Sequence, residues 1–473
     1  MKLTLFAPEL VLLLGGLLLF FMSTGKTSGR TARLVTLAIA AASALAAVSG
    51  LGLDGTLFYQ AYKVDLFSQG VKFLIGAGFA AVLLAGSELK GVAEDMRPEY
   101  YLFMTLSVLG LFLMVSSVEL LTMFVALELS SYSLYLLVPM RGDQGGLRMQ
   151  MESAVKYILF GVAATGVMLF GMSYMFGLTG TTYFDQLMPA LRAMGGSPAA
   201  VVAVAMVLGG FFFKLAAFPF HFWVPDVYQG ASNETAAFIA SVPKVGAVAL
   251  LVRIAAMASP GDQVLSNMLM AFAILSMFYG NLVALVQTDL KRMLGFSGIA
   301  HAGYVLVGFV ALRDTGYATA LYYITGYLLM TISAFLVVCT VSGEGGNLKI
   351  SDLGGLYKRA PLLAFVMAVS MFALAGIPPF VGFMGKFLLL AGAWKAGFTW
   401  LVILAAINTA ISIYYYLSVV RVVYTVSPEE KPHVMTGGPA SALGVVLVAA
   451  IVALGLAPDA IIKMALAAVR SVM

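Results

Sequence analysis

Four lysines lie inside long hydrophobic stretches of this chain, where charged side chains are rare. They are Lys156, Lys214, Lys244 and Lys386. A charge at the centre of a bilayer costs about 2.5–3.5 kcal/mol on insertion scales, so a lysine kept at that depth usually has a function. An amine that gains and loses a proton in such surroundings can pass protons on, and the four lysines are therefore candidates for a proton relay.

One carboxylate, Glu128, lies near the middle of another hydrophobic stretch. We predict that it forms an ion pair with Lys214. Approach of the two side chains favours both charged forms, whereas separation favours release of the proton from the lysine. The pair would then act as a proton gate. The alternative is a neutral carboxylic acid that bonds to Ser131 or Tyr132.

Each lysine also has a structural interpretation. Lys214 could fill a hydrated kink, Lys244 could bond to carbonyls freed by the preceding proline, and Lys386 could extend towards the end of its stretch. Lys156 follows Glu152 by four residues, so a pair across one helical turn or an extended side chain would explain it without any relay.

Two histidines accompany these residues. His221 follows Pro219, and His301 lies in the stretch GFSGIAHAGYVLVG. Histidine titrates near neutral pH and can pass a proton between its two ring nitrogens. A lone buried histidine is more often a core residue with satisfied hydrogen bonds, and nearby tyrosines more often pack than conduct. We nevertheless predict that both histidines take part in the relay.

The elements that would position these residues are membrane-spanning helices. The chain has 473 residues, of which 61% are hydrophobic and only 10% charged, and its mean hydropathy is +0.99. A soluble domain carries about 25% charged residues. Stretches of about 20 apolar residues, the length that spans a bilayer, recur from end to end, and we predict an all-α integral membrane protein of about fourteen transmembrane helices.

An internal repeat is visible in the sequence. Lys156-Tyr157-Ile158 resembles Tyr322-Tyr323-Ile324, and Pro219-Phe220 resembles Pro379-Phe380, each about 160 residues later. Five helices per copy is an odd number, so the two copies would be inverted. The seventh and twelfth predicted helices, over about 200–224 and 361–393, contain these prolines in mid-run, and two matching broken helices would mark a transport site. The predicted division is an N-terminal three-helix unit (1–98), a first repeat (99–258), a second repeat (259–426) and a C-terminal helix (427–473).

The scattered cations indicate the orientation and exclude some functions. The loops that hold Lys26, Lys90, Arg141, Lys291 and Lys431 would carry more positive charge, which predicts that both termini lie outside, on the periplasmic side. The cations are scattered and form no basic stripe of the kind that binds nucleic acid. Because Cys339 is the single cysteine, no iron–sulfur motif is present, and we expect no cofactor or metal in this chain.

The chain resembles the antiporter-like subunits of respiratory complex I, the proton-pumping NADH-quinone oxidoreductase. The stretches that carry the resemblance are FKLAAFPFHFWVPDVYQGA, LELSSYSLYLLV, SVPKVGAVALLVRI, QTDLKRMLGFSGIAHAGYVLVG and GIPPFVGFMGKF, and they spread over nearly the whole chain. PFHFWVPDVYQGA is typical of the N subunits within that family. One departure is the stretch SNETAAF after YQGA, where relatives more often contain prolines.

The resemblance implies a function and an assembly. Glu128 and Lys214 would be the gating pair, Lys244 the central relay, Lys386 the terminal lysine and Lys156 a further family lysine, with His301 between the two halves. The chain would translocate protons in a bacterial inner membrane as one subunit of an enzyme and would carry out no redox chemistry itself. NAD, FMN, iron–sulfur clusters and quinone would belong to partner subunits, and sister antiporter-like subunits and lipid would surround the chain.

Two other functions stay open on the sequence. An Mrp-type sodium/proton antiporter subunit would share the fold, although a row of lysines is a poor site for a metal cation. In a structural scaffold, the buried charges would only compensate one another. Proton pumping by the assembled complex would then survive replacement of Lys214 by methionine.

Overall fold

The chain folds into long apolar helices. A computed structural model describes residues 2–86, 88–142, 148–194, 197–255, 262–425, 434 and 437–472. Thirteen helices within these residues are long and apolar enough to cross a membrane. An α-helix advances 1.5 Å per residue, so about 20 residues cross the hydrocarbon core of about 30 Å. The predicted all-α membrane fold is confirmed.

The N-terminal region contains three long helices. Its helices are α1 (Lys2–Leu5), α2 (Ala7–Thr24), α3 (Gly29–Ser49) and α4 (Leu66–Ala85). A short antiparallel hairpin of β1 (Gly55–Leu57) and β2 (Tyr62–Val64) joins α3 to α4. The Asp65 side chain accepts a 2.7 Å hydrogen bond from the backbone N–H of Ser68, which fixes the start of α4.

The central part of the chain forms two further groups of helices. The first group is α5 (Arg97–Ser116), α6 (Leu120–Leu137), α7 (Met149–Thr179), α8 (Phe184–Ala193), α9 (Pro198–Leu215), α10 (Val224–Gly230) and α11 (Asn233–Ala255). The second group is α12 (Gln263–Ala284), α13 (Leu290–Val310), α14 (Asp314–Val341), α15 (Leu356–Arg359), α16 (Pro361–Ala375), α17 (Val381–Lys395) and α18 (Thr399–Thr425). The chain continues with α19 (Gly438–Leu456) and α20 (Asp459–Arg470). Short 3₁₀ helices cover Glu94–Met96, Val138–Met140 and Ile350–Leu353.

Both helices predicted to be broken are interrupted. The first ends as α9 at Leu215 and resumes as α10, and the second ends as α16 at Ala375 and resumes as α17. The residue after α16, Gly376, has a left-handed φ of 86°, which glycine adopts without steric cost. Proline then prevents the helix from continuing, because it lacks an N–H and clashes with the preceding turn.

The helix count and the repeat stay predictions. The stretch predicted as one helix over 361–393 forms α16 and α17, each of 15 residues, and neither is among the thirteen candidate spans. The predicted domain boundaries near 258 and 426 lie outside the described residues, and so does Lys431, which contributed to the predicted orientation.

Two helices form the centre of the molecule. The most apolar window of α11 and that of α13 are buried along their whole length, whereas only a third of the corresponding windows of α2, α3 and α19 is buried. Large apolar side chains such as Leu14, Phe21 and Val446 are exposed on these outer helices. An exposed apolar surface of this kind is what a lipid bilayer would cover.

Candidate functional site

A row of titratable side chains crosses the buried interior. We use the name charged row for five residues, each no more than 6% exposed: Glu128 on α6, Lys214 on α9, Lys244 on α11, His301 on α13 and Lys386 on α17. Three of the four lysines that were predicted to be buried are therefore enclosed in the protein. A lysine in such a site needs hydrogen-bond acceptors because burial without them is costly.

Hydroxyl groups hold Lys214. Its Nζ atom donates 3.1 Å hydrogen bonds to the side chains of Ser130 and Ser131, both on α6. Glu128 accepts a 2.8 Å hydrogen bond from the hydroxyl of Thr165 on α7. The predicted direct ion pair between Glu128 and Lys214 is therefore absent from the ion pairs found among the described residues, although the Glu128 charge still acts on Lys214. Neutral hydroxyls occupy the position next to the amine.

Lys244 lies at the contact between three helices. Its Nζ donates to the backbone carbonyl of Gly298 on α13 at 3.2 Å and to the hydroxyl of Tyr327 on α14 at 3.4 Å. The amine lies 5.1 Å from the centre of the Tyr327 ring, a cation–π distance. A Cβ atom on Gly298 would lie 2.9 Å from the amine, so glycine leaves the room that Lys244 occupies.

His301 is bonded on both sides. Its Nδ1 lies 2.6 Å from the hydroxyl of Tyr323, and its Nε2 lies 3.0 Å from the hydroxyl of Tyr416 on α18. One ring nitrogen donates and the other accepts in the neutral form, so the tautomer decides the direction of both bonds. An imidazole between two hydroxyl groups can accept a proton on one side and release one on the other.

Lys386 bonds to the end of a helix. Its Nζ donates to the carbonyl oxygens of Leu374 and Ala375, both at 3.0 Å, and lies 4.7 Å from the centre of the Tyr304 ring. The last carbonyls of a helix lack partners within the helix and carry the negative end of its dipole. Lys386 therefore satisfies the C-terminus of α16.

Tyrosines connect Lys244 to Lys386. The ring centres of Tyr327 and His301 are 5.0 Å apart, and those of Tyr304 and Tyr323 are 6.4 Å apart. Tyr327 contacts Lys244 and Tyr304 contacts Lys386, so aromatic hydroxyls and the imidazole fill the space between the two amines. The sequence analysis missed Tyr327 and Tyr416, because their partners lie far away along the chain.

Lys156 differs from the prediction that it is buried. Its side chain is 38% exposed and forms ion pairs of 2.7 Å with Glu152 and with Asp226. Asp226 also pairs with Arg292 at 2.6 Å. Lys156 lies seven residues into α7, close to the polar end of that outer helix, and this position explains its exposure. The pair with Glu152 that the spacing allowed is present.

His221 is enclosed by aromatic rings in the break between α9 and α10. Its ring centre lies 4.3 Å from those of Phe222 and Tyr279 and 5.4 Å from that of Phe218. Neither ring nitrogen has a hydrogen-bond partner among the described residues. Its predicted relay role stays a prediction.

Among the described residues, two ion pairs are buried outside the charged row. Lys72 pairs with Glu9 at 2.8 Å, both fully buried, and Arg253 pairs with Asp65 at 3.0 Å. Arg253 lies in the last turn of α11, two residues before its end, and its side chain is buried there. Lys72 lies in the second turn of α4, where the side chain turns inwards to meet α2.

Two more cations are buried near the start of α11, at the end of the helix bundle opposite to Arg253. Lys291 is fully buried and donates a 2.8 Å hydrogen bond to the carbonyl of Ala231, and Arg141 donates to the carbonyls of Gln229 and Gly345. Both cations lie beside the stretch SNETAAF. Among the described residues, no group of three or more histidine, cysteine, aspartate or glutamate side chains is placed to hold a metal ion.

Comparisons with known proteins agree with this geometry. The model of the family described as NADH:quinone oxidoreductase/Mrp antiporter matches residues 117–412. A protein named NADH-quinone oxidoreductase subunit N 2 from Opitutus terrae is 53% identical over 454 residues, which cover 96% of this chain and 95% of that protein. A protein of the same name from Syntrophobacter fumaroxidans is 42% identical and covers 99% of both.

Solved structures also resemble this chain over nearly its whole length. A chain of respiratory complex I from Thermus thermophilus with bound aureothin is 33% identical, covers 96% of this chain and 98% of that chain, and superposes with a TM-score of 0.84. A chain of the Mrp complex from Dietzia shares the fold with a TM-score of 0.86 but only 20% identity, over 99% of this chain and 97% of that one.

Proposed function

The chain belongs to the NADH:quinone oxidoreductase/Mrp antiporter family as a subunit N of NADH-quinone oxidoreductase, and from this premise we propose that its charged row is the path along which it carries protons. It is a multi-pass membrane subunit of a bacterial respiratory enzyme and works beside other membrane subunits. The electrons and the quinone, with NAD, FMN and iron–sulfur clusters, belong in the proposal to partner subunits.

One observation carries the proposal. His301 lies between two lysine amines and bonds through both ring nitrogens to tyrosine hydroxyls. A proton that leaves Lys244 can pass by way of Tyr327, His301 and Tyr323 towards Lys386, given small movements and water between the groups. Each group on this line can both give and accept a proton, which packing alone does not require.

The gate is the part of the proposal that needs movement. In the described state, serine hydroxyls hold Lys214 and a threonine hydroxyl holds Glu128. When the two charges approach, Lys214 keeps its proton, and when they separate, burial favours its release. Charge movement in a neighbouring subunit would set that distance.

The orientation and the repeat are also proposals. Arg141 and Lys291 lie together at one end of the helix bundle, and under the positive-inside rule this end would face the cytoplasm and both termini the periplasm. The interrupted helices α9–α10 and α16–α17 support two inverted five-helix copies. A reporter enzyme that folds only in the periplasm, fused after residue 473, should be active, and an inactive fusion would reverse the orientation.

The test of the function uses the assembled complex in sodium-free vesicles. We expect the Lys244→Met variant to assemble and to lose proton pumping, measured as acidification per NADH oxidised. Unchanged pumping would support a structural scaffold instead. Pumping by the native complex that requires sodium would favour the antiporter alternative.

A further inference from the structure

A small cavity reaches into the protein beside the first turn of α11. Its space for water is about 50 Å³, and an ordered water needs about 10–15 Å³ by the same measure, so several waters fit. Polar side chains line it, among them Glu234, Thr340 and the ion-paired Glu88 and Lys90, whose Nζ and Oε2 atoms are 2.9 Å apart. The cavity is thus polar enough and large enough to be hydrated.

Glu234 lines this cavity. Its side chain is only 6% exposed, and its Oε2 atom has no hydrogen-bond partner among the described residues. A buried carboxylate oxygen without a partner is costly, so it is expected to bind water or a proton. Gly86 forms the floor under Glu234, because a Cβ atom there would collide with the Glu234 side chain.

Titratable groups from α5, α13, α14 and the segment after α6 interact electrostatically with Glu234. The cations Lys291 on α13 and Arg141 after α6 interact with the Glu234 carboxylate. Its charge also acts on Tyr100 on α5 and on Cys339 on α14. A buried acid beside two cations in a hydrated cleft is a candidate for proton exchange.

The position of Glu234 connects the cavity to the charged row. Glu234 and Lys244 lie on the same helix, ten residues apart, which corresponds to a rise of about 15 Å. We infer that Glu234 and its hydrated cavity take up a proton from the aqueous phase on the Lys90 side and supply it to Lys244. This inference rests on the proposed function of the charged row.

The first experiment compares pumping by variants over a range of pH. Glu234→Gln removes the proton acceptor but keeps the shape, and Glu234→Asp keeps the acid. We expect Glu234→Gln to lower the pumping rate about tenfold at alkaline pH, where protons are scarce, and to approach the native rate at acidic pH. Glu234→Asp should retain most activity, and Gly86→Ala, which displaces the side chain, should behave like Glu234→Gln.

The outcomes separate this inference from the function itself. Lys244→Met should lose pumping at every pH if the charged row conducts protons. Native pumping by Glu234→Gln at all pH values, with Lys244→Met inactive, would overturn the uptake role and leave the function intact. An equal loss at every pH in Glu234→Gln would also overturn it and indicate a structural role.

A second measurement needs no variant. A hydrophobic carbodiimide reacts with protonated carboxyl groups in apolar surroundings, and peptide mass spectrometry locates the product. We expect modification of Glu234 in the native complex but not of Glu88, which is exposed at the rim of the same cavity. Absence of the product at Glu234 would overturn the inference even if the glutamine variant failed to assemble.

Discussion

Lys386 Nζ donates a 3.0 Å hydrogen bond to the carbonyl oxygen of Ala375, eleven residues before it in the chain. The interruption between α16 and α17 makes this bond possible, because it turns the chain back and exposes the last carbonyls of α16. The same break therefore creates both the lysine site and the acceptors that hold it. The left-handed Gly376 lies under the lysine, where a Cβ atom would approach Lys386 Cδ to 3.0 Å.

Replacement of Lys386 by arginine should preserve charge and assembly but abolish proton pumping. Arginine can donate to the same carbonyls, yet its pKa is above about 12, so it does not release a proton. The measurement is acidification of vesicles per NADH oxidised. Lys395→Arg, an exposed position at the end of α17, is the matched control and should pump normally. Normal pumping by Lys386→Arg would mean that this amine does not carry protons.

Removal of one tyrosine hydroxyl should interrupt the line at His301. Tyr323→Phe loses the group that lies 2.6 Å from Nδ1, and we expect the pumping rate to fall by about 10²-fold, the usual scale for loss of a proton-transfer group. Tyr322→Phe is the control, because this adjacent tyrosine donates its hydroxyl hydrogen bond to the carbonyl of Leu454 and not to His301. Equal rates in the two variants would contradict the relay through His301.

Neutralisation of Glu128 should disable the gate. Glu128→Gln can still accept the hydrogen bond from Thr165, but it removes the carboxylate charge that acts on Lys214. Since that charge favours the protonated lysine, we expect pumping to fall by about tenfold or more while the complex still assembles. Glu152→Gln, in which an exposed carboxylate is lost, should pump at the native rate. A native rate in Glu128→Gln would exclude the gate.

The buried pair of Glu9 and Lys72 should contribute to stability. Lys72→Met leaves an unpaired buried carboxylate, and breaking a buried pair in this way costs about 3–5 kcal/mol of unfolding free energy. The double variant Glu9→Gln, Lys72→Met should recover most of that loss, because it leaves no buried charge. Unfolding midpoints in detergent measure the stability of the single and the double variant, and Lys26→Met, at an exposed position, is the control. A single variant as stable as the native chain would mean that water reaches the pair.

The sequence predicts the parts of this molecule that depend on local pattern. Apolar length predicts the helices, and a lysine in the middle of an apolar stretch identifies Lys214, Lys244 and Lys386 without knowledge of any partner. The paired prolines predict both interruptions. These signals lie within about twenty residues of chain, which is the span over which membrane insertion itself distinguishes apolar from charged residues.

The sequence could not predict contacts that join distant residues. Arg253 and Asp65 are 188 positions apart, and Tyr416 and His301 are 115 apart, so neither pair leaves a local pattern. Lys156 was misjudged for a related reason. Its stretch is as apolar as those of the buried lysines, and its exposure follows from its place near the end of α7 and from the packing of α7 at the edge of the molecule.

Because α11 and α13 are enclosed by protein on every side, acyl chains do not reach Lys244 or His301. A change in the lipid, such as a sterol additive, a different acyl chain length or a different head group, would alter contacts with the outer helices only. Proton conductance along the interior should consequently be insensitive to the lipid used for reconstitution, as long as the surrounding helices keep their shape.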